Sequence, residues 1–258
     1  MIIIIQPFSA YLRASARQLF RLLSRVFACC LLSFHLTAQA SESPPQDPHR
    51  NEAGFFDIHV CNWPKRPLFF MALFSTTRFS ELVSVEILDP DNRHIGYLDI
   101  TRYRPVNNAS TPEKRAFISQ FDVPADAADG WYQSVVTLKD GSRHRARDFV
   151  VVHSMDRPLA INPPDAAENI ARPKLLQWQA VAGAKYYQVF IRDEWEGKLV
   201  YESGLLARNE LAVPDELLVA GGYYSWIIHA RDINESVLLG DFNHGSLSPS
   251  MTFSISEN

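Results

Sequence analysis

The stretch Leu218-Val-Ala-Gly-Gly-Tyr-Tyr-Ser-Trp-Ile-Ile-His-Ala230 joins a glycine turn to a long segment with a period of two. Tyr224, Trp226, Ile228 and Ala230 fall on every second position. Successive side chains of a β-strand point to opposite faces, so this pattern predicts a strand with one buried side. We therefore expect this part of the chain to form a β-sheet and not a helix.

A second alternating segment lies upstream. Trp178 is followed, after Ala182-Gly183-Ala184, by Tyr187, Val189 and Ile191, which would point inward. Further strands are expected over residues 198–202, 209–213 and 247–255. The whole of this half thus consists of short strands separated by turns.

These segments resemble a fibronectin type III domain over about residues 171–256. The resemblance rests on Trp178 as the core tryptophan, on the Tyr187-x-Val189-x-Ile191 alternation, and on Leu218, Gly221, Tyr224, Trp226 and Ala230 at the expected relative places. It implies a β-sandwich. Because the family has diverse roles, it implies binding or spacing and no particular chemistry.

The preceding half, residues 55–154, predicts an immunoglobulin-like β-sandwich, although it lacks the cysteine and tryptophan spacing of antibody domains. Short apolar runs predict strands near residues 55–61, 67–75, 82–88, 94–103, 115–123, 131–139 and 143–152. Asp89-Pro90-Asp91-Asn92 and Asp140-Gly141 have the chemistry of hairpin turns. The fold class is therefore all-β, with two tandem β-sandwich domains, immunoglobulin-like and then fibronectin type III-like.

The domain boundaries follow from composition. Residues 41–54 are polar and proline-rich, which is typical of a flexible leader. Residues 155–170 contain Pro158, Pro163 and Pro164 and predict a linker. The fibronectin type III-like domain then covers residues 171–258.

Residues 1–40 are similar to a secretory signal peptide. Four arginines precede an apolar run from Val26 to Leu36, and Ala38-Gln39-Ala40 matches a cleavage site. The segment is longer than usual, so retention as a membrane anchor stays open; lipidation at Cys29 is disfavoured because the apolar run follows that cysteine. We expect a periplasmic or secreted protein with no transmembrane segment after cleavage.

The charge balance disfavours some partners. The formal net charge is −4, and removing residues 1–40, with their four arginines and no acidic residue, makes it −8. Nucleic acids and anionic membranes are bound by basic surfaces, so neither is an expected partner.

The sequence predicts no catalytic site, metal site or cofactor. No Gly-x-Ser-x-Gly nucleophile turn is present. The histidines show no His-x-x-x-His spacing, and the acids at 193, 194 and 196 fall on an expected hairpin tip, where water solvates them. Cys61, the one cysteine after residue 40, is expected to be a buried apolar side chain or a thiol that pairs with a partner. We expect a protein that is not an enzyme.

Three surfaces are candidate binding sites. The connection Asp232–Ser246 is longer than a usual hairpin and holds Val237, Leu238, Leu239 and Phe242, which either pack within the chain or meet a partner. Trp195 lies on a polar hairpin tip, where its ring either stacks on a ligand or packs on the chain. Arg143, Arg145 and Arg147 alternate along a strand and either grip anionic groups or stay solvated and paired.

The predicted function is non-catalytic recognition of an envelope protein or a polysaccharide through loops on a β-sandwich scaffold. Two alternatives stay open. One is a carbohydrate-targeting accessory or hydrolase-associated protein with a site at the domain junction, which a buried cluster of acids or histidines there would favour. The other is a structural spacer, which tight packing of the long connection would favour.

Overall fold

The computed structural model describes residues 47–106, 112–233 and 242–257 of the 258-residue chain. Its strands confirm the all-β class. The first half contains β1 (Arg50–Asn51), β2 (Gly54–Asn62), β3 (Phe69–Thr76), β4 (Leu82–Leu88), β5 (His94–Tyr97), β6 (Arg104–Pro105), β7 (Arg115–Asp122), β8 (Gly130–Leu138) and β9 (Arg143–Val150). A single 3₁₀ turn, Phe79–Glu81, is the helical element of the described residues.

The second half also consists of short strands. They are β10 (Ala160–Asn162), β11 (Ala167–Ile170), β12 (Leu175–Trp178), β13 (Tyr186–Asp193), β14 (Lys198–Glu202), β15 (Glu210–Ala212), β16 (Tyr223–Arg231), β17 (His244–Leu247) and β18 (Met251–Ile255). Residues 155–170, which their prolines predict to be a linker, thus carry β10 and β11. Both strands pair within the second half, β10 with β12 and β11 with β18.

The core of the first half lies between two sheets. One has the order β2-β3-β7-β6, and the other has the order β5-β4-β8-β9. Phe56, Phe70 and Phe74 from the first sheet and Val85 and Tyr132 from the second are at most 2% exposed and belong to one apolar cluster. The rings of Phe70 and Tyr132 meet across the layers with their centroids 5.0 Å apart.

The predicted hairpins of this half are confirmed. Strands β4 and β5 pair in antiparallel order around Asp89–Asn92, and β8 and β9 pair around Asp140–Gly141. The Asp89 carboxylate accepts the amide of Asp91 at 2.9 Å. Gly141 has a φ of +83°, which a residue with a Cβ rarely adopts.

The second half has its own core around tryptophan. Trp178 on β12 and Trp226 on β16 are at most 1% exposed, and their ring centroids lie 6.5 Å apart. Tyr187, Val189 and Ile191 point inward as the alternation predicts, and so do the even-numbered positions of β16. The sequence pattern therefore identified the buried face of both central strands.

Strand β17 joins the two halves. It follows β16 in the chain, yet it pairs in parallel with β2, with His244 opposite Val60 and Gly245 opposite Cys61. One sheet therefore runs through both halves, in the order β11-β18-β16-β17-β2-β3-β7-β6. The region predicted to be one strand over residues 247–255 is divided into β17 and β18, which are separated by Pro249.

Further hydrogen bonds close the same junction. The amide of Val60 donates to the carbonyl of Asn243 at 2.8 Å. The Ser246 hydroxyl donates to the carbonyl of Asp156 at 2.7 Å, and Arg157 donates to Asn62 at 2.8 Å. Residues 47–258 accordingly form a single compact unit.

Among the described residues, no helix has both the length and the apolar character that crossing a membrane requires.

Candidate functional site

The outer side of the β5-β4-β8-β9 sheet carries an exposed row of basic and aromatic side chains. Arg143, Arg145, Arg147 and Phe149 occupy alternate positions of β9 and are all exposed, whereas Ala146, between two of the arginines, and Val150, which follows Phe149, are buried in the core. The pairing of β8 with β9 is continuous from Gly130–Val150 to Thr137–Arg143, so no bulge interrupts the row. Phe149 therefore continues the face of the arginines.

The neighbouring strand β8 supplies the second row of this face. Trp131 lies opposite Phe149, Gln133 opposite Arg147, and Val135 opposite Arg145. We call the set Trp131, Gln133, Arg143, Arg145, Arg147 and Phe149 the arginine–aromatic face. Because adjacent strands are about 4.8 Å apart, their side chains form one continuous surface.

Two aromatic rings form one end of the arginine–aromatic face. Trp131 is 38% exposed and Phe149 is 43% exposed. Their centroids are 5.4 Å apart with an interplanar angle of 75°, an edge-to-face contact that holds both rings while leaving apolar surface in solvent. The guanidinium carbon of Arg147 lies 4.5 Å from the centroid of the Trp131 ring. This distance is typical of a cation–π contact, so the cation and the indole form one unit.

The three arginines differ in their partners. Arg145 donates from Nη1 to Oε1 of Gln133 at 3.1 Å, and Gln133 in turn donates to Asn92 at 3.1 Å. Arg143 lies 3.7 Å from the carboxylate of Glu86. Within the described part of the chain, Arg145 and Arg147 have no carboxylate within 4.0 Å. Two of the three positive charges are thus not balanced by a neighbouring acid.

Strand β5 forms the opposite margin of the same sheet. His94 lies 3.0 Å, through Nδ1, from Oε1 of Glu86, and its ring centroid is 4.8 Å from that of Tyr97. Tyr97 is 57% exposed. Glu86 therefore has two partners, His94 and Arg143, and is the acid of this sheet that offsets part of its positive charge.

The side chain of Trp195 is 74% exposed, which is far more than for a tryptophan packed in a core. It sits in the turn between β13 and β14, where its Nε1 donates to the carbonyl of Gly221 at 3.4 Å. Its ring centroid is 5.7 Å from that of Tyr223. The structure does not bring Trp195 together with the arginine–aromatic face, since the two are carried by different halves.

The predicted binding connection Asp232–Ser246 is described in part. Val237, Leu238 and Leu239 lie outside the described residues. Phe242 is only 4% exposed, and its ring packs on His59 with a centroid distance of 3.7 Å and on His229 at 5.6 Å. Phe242 therefore packs within the chain, between a histidine of each half, which is one of the arrangements left open by the sequence.

Acids and histidines do meet where the halves join. The Nδ1 of His244 lies 2.6 Å from Oδ2 of Asp232, and its Nε2 lies 2.6 Å from the carbonyl oxygen of Val151. The ring of His153 stacks on His244 with centroids 3.7 Å apart. Burial, followed by the charge of His244, lowers the pKa of His153. We call His153, Asp232 and His244 the junction cluster.

The bonding of the junction cluster leaves no free base on His244. Both ring nitrogens of His244 are thus occupied by oxygen atoms of this chain, and neither faces solvent as an unengaged base. A general base needs an unprotonated nitrogen facing its substrate. The cluster is therefore arranged as a structural clamp between β17 and the end of the first half.

Cys61 is fully buried on β2, as one of its two sequence interpretations expects. Burial, with a further contribution from the negative charge of Asp57, raises the pKa of its thiol to about 12. A thiol with so high a pKa is not a thiolate near neutral pH and is a poor nucleophile. Across the described ranges, no group of three or more metal-ligating side chains is arranged to hold an ion.

Sequence reasoning identified the arginines but missed Trp131 and Phe149 as their companions. The signal was present, because Trp131 begins a predicted strand and Phe149 has the parity of the three arginines. What the sequence lacks is the register of β8 against β9, which places these two rings opposite each other.

No protein-family model matches the chain, and no curated protein matches it. Among solved structures, a Bacteroides ovatus mixed-linkage glucan utilization locus protein, SGBP-B, in complex with a mixed-linkage heptasaccharide is 15% identical, with a TM-score of 0.22, over 75% of this chain and 42% of that one. A Salmonella α-2-macroglobulin reacted with methylamine is 12% identical, with a TM-score of 0.25, over 80% and 15%. A tetra-tandem repeat from the extending region of a large adhesion protein is 12% identical, with a TM-score of 0.27, over 80% and 50%.

This chain spans half or less of the length of those three structures. At such low TM-scores the likenesses carry no argument about what the chain binds.

Proposed function

We propose that this chain is an exported, non-catalytic binding protein of the cell envelope that recognises a polysaccharide through the arginine–aromatic face. Its location would be periplasmic or extracellular, following cleavage of the signal peptide expected over residues 1–40. The observation that carries the proposal is the contact of Trp131, Phe149 and Arg147 in one exposed cluster. Exposed aromatic rings give the flat apolar surface on which sugar rings stack, and guanidinium groups supply hydrogen bonds beside it.

In this proposal the scaffold is an immunoglobulin-like β-sandwich over residues 55–154 followed by a fibronectin type III-like β-sandwich over residues 171–258. The second assignment is supported by buried Trp178 and by Tyr224, whose hydroxyl accepts the amide of Val219 at 3.0 Å just after Leu218. A tyrosine that ties down the turn before its own strand is typical of such sandwiches. A rigid scaffold of this kind reduces the entropy lost on binding.

The absence of catalysis is part of the proposal. The alternative of a hydrolase-type site at the junction is favoured by the presence of the junction cluster. It is disfavoured by the bonding of His244, whose two nitrogens are both occupied by Asp232 and Val151. We therefore assign the junction cluster a structural role.

A structural spacer is the second candidate function. The burial of Phe242 against His59 favours it, because this end of the long connection packs within the chain and is not presented to a partner. A spacer does not account for the half-exposed rings of Trp131 and Phe149 on the outer side of the β5-β4-β8-β9 sheet. Binding measurements separate the two candidates directly.

The experiment is capture of ligands from the envelope extract of the source organism by the purified protein. The extract is used untreated, treated with protease, and treated with periodate, which cleaves vicinal diols of sugars. We expect capture to survive protease and to be lost with periodate. Loss with protease alone would identify a protein partner instead, and no capture at all would favour the spacer.

Variants connect the captured glycan with the proposed face. Trp131→Ala and Phe149→Ala should each weaken glycan retention by at least about tenfold, since aromatic side chains dominate binding surfaces of this kind. Trp195→Ala is the matched control, because it removes a more exposed tryptophan from the other half. Equal losses in all three variants would contradict the placement of the site.

A further inference from the structure

We propose that the glycan recognised by the arginine–aromatic face is acidic, with carboxylate or sulfate groups that bind Arg145 and Arg147 while a sugar ring lies against Trp131 and Phe149. This inference rests on the proposed function and specifies its ligand class. It starts from the observation that, among the described residues, Arg143 has a carboxylate nearby whereas Arg145 and Arg147 do not.

The positive charge on this face is only partly compensated by acidic side chains of the described residues. Strand β9 places three guanidinium groups in one row, and Glu86 is the acid near them, 3.7 Å from Arg143 and also 3.0 Å from His94. Among the described residues, the side chain of Arg145 bonds only to the neutral amide of Gln133. A guanidinium has five N–H donors, so Arg145 retains donors for a further acceptor, and planar anions accept two of them at once.

Arg147 is held without an acid. Its guanidinium carbon lies 4.5 Å from the Trp131 centroid, so the indole face and not a carboxylate positions it. Such a contact fixes the guanidinium while leaving its N–H donors directed outward in the plane of the group. An anionic ligand bound there would find a preoriented cation and would displace no existing ion pair.

The row suits an extended polymer better than a single small anion. Alternate positions on a strand lie about 6.6 Å apart, so Arg143 to Phe149 covers about 20 Å along β9. The strand pairing is unbroken over this length, which keeps the row continuous. Repeating acidic groups on one chain can therefore meet successive guanidinium groups.

The aromatic end favours a sugar polymer over other polyanions. The rings of Trp131 and Phe149 leave 38% and 43% of their surfaces exposed, directly beside Arg147. An acidic peptide would pair with the arginines but would leave the apolar surface of the two rings uncovered. Nucleic acid is disfavoured because the proposed location of the protein is outside the cytoplasm.

The test compares glycans that differ only in charge. Polygalacturonate is compared with its methyl ester, which has the same backbone without the carboxylate charge, and dextran sulfate is compared with dextran. Affinities are measured by isothermal titration with the purified protein. We expect each charged polymer to bind at least about tenfold more tightly than its neutral counterpart, and higher salt to reduce the difference. Preference for polygalacturonate would identify carboxylate as the preferred group, and preference for dextran sulfate would identify sulfate.

Variants that remove arginine charges test whether this face causes the preference for charged polymers. The double variant Arg145→Gln and Arg147→Gln should lose at least about tenfold in affinity for the charged polymers and little for the neutral ones. The matched control, Arg172→Gln and Arg208→Gln, removes two exposed positive charges from the second half and should change neither. Circular dichroism before titration confirms that each variant is folded.

The outcomes separate this inference from the proposed function. Equal binding of charged and neutral glycans, unaffected by the arginine variants, would overturn the acidic-glycan inference and leave polysaccharide recognition standing. Binding of polyglutamate as tightly as polygalacturonate would overturn it in favour of an acidic protein segment. Failure of every glycan, including those captured from envelope extract, would overturn both.

Discussion

His244 and Asp232 form a short contact, with Nδ1 and Oδ2 2.6 Å apart, at the point where β16 ends and β17 begins. The second ring nitrogen of His244 lies 2.6 Å from the carbonyl oxygen of Val151, which immediately follows β9. One side chain therefore connects both ends of the 232–244 connection with the first half. The His244 side chain is 4% exposed, so the pair is shielded from water.

We predict that His244→Ala lowers the free energy of unfolding by about 3 kcal/mol. Removing the imidazole leaves the Asp232 carboxylate without its hydrogen-bond partner and also removes the hydrogen bond to Val151. The matched control is His94→Ala, whose side chain likewise contacts a carboxylate, that of Glu86 at 3.0 Å, but is 46% exposed. Pairs exposed to solvent contribute less than about 1 kcal/mol. Urea unfolding of both variants at neutral pH measures the difference, and equal effects would contradict the clamp.

The buried side chain of His229 makes the free energy of unfolding decrease at acidic pH. Burial is the main cause that lowers its pKa to about 3, with the charges of Arg231 and His59 adding to it. Its Nε2 is shielded and has no hydrogen-bond partner among the described residues. The folded state keeps this ring neutral, whereas the unfolded chain protonates it below about pH 6.5. The unfolded state therefore binds more protons, and stability is lost as the pH falls from about 6.5 towards 3.

We expect a slope of about 1.4 kcal/mol per pH unit from His229 between pH 6 and 4. Asp148 opposes this trend. Burial is the largest cause that raises the pKa of its carboxyl group, so the folded protein binds this proton more readily than the unfolded chain does. The informative quantity is therefore the difference between the wild type and His229→Gln, which removes only the histidine contribution. Urea unfolding at several pH values should show a shallower slope for the variant. Identical slopes would mean that His229 is protonated in the folded protein.

Gly245 on β17 lies very close to the rings of His229 and Phe242. A Cβ at this position would lie 2.7 Å from Nε2 of His229 and 2.8 Å from Cε2 of Phe242. We predict that Gly245→Ala destabilises the protein by about 1–3 kcal/mol, since buried rings must shift to accept it. Gly204→Ala is the control, because a Cβ there meets no atom within 4 Å. Thermal unfolding should be unchanged or slightly raised for the control and lowered for Gly245→Ala.

The alternation of single strands was readable from the sequence. Trp226 and Ile228 are buried, as their spacing predicts, because the period of a strand depends only on backbone geometry. Gly141 likewise marks its turn, because the residue itself tolerates the required backbone angle. Such local rules need no knowledge of the rest of the chain.

The pairing of segments that are distant in the sequence could not be predicted. The pairing of β17 with β2 joins Gly245 to Cys61, and no local pattern specifies that partner. The same holds for the site, where Trp131 meets Phe149 only through the register of two strands. Strand register depends on packing across the sheet, which a single sequence does not reveal.

Substitution of Trp195 tests whether the ligand contacts only the first half. Its turn follows β13, whose last residue, Asp193, pairs with Tyr224 at the start of β16. The junction lies at the other end of β16, where Arg231 pairs with Gly245. Trp195 thus stands at the end of the second half that is remote from the first half, although its 74% exposure would make it an attractive stacking surface.

We predict that Trp195→Ala changes the free energy of unfolding by less than about 0.5 kcal/mol, because the ring buries little surface. Glycan affinity should stay within about twofold of the wild type, since sites that share no partner act independently. Urea unfolding and isothermal titration on the same sample measure both quantities. A loss of affinity comparable to that of Trp131→Ala would show that one ligand contacts both halves, and the rigid connection through β17 would then serve to hold the two contacts at a fixed separation.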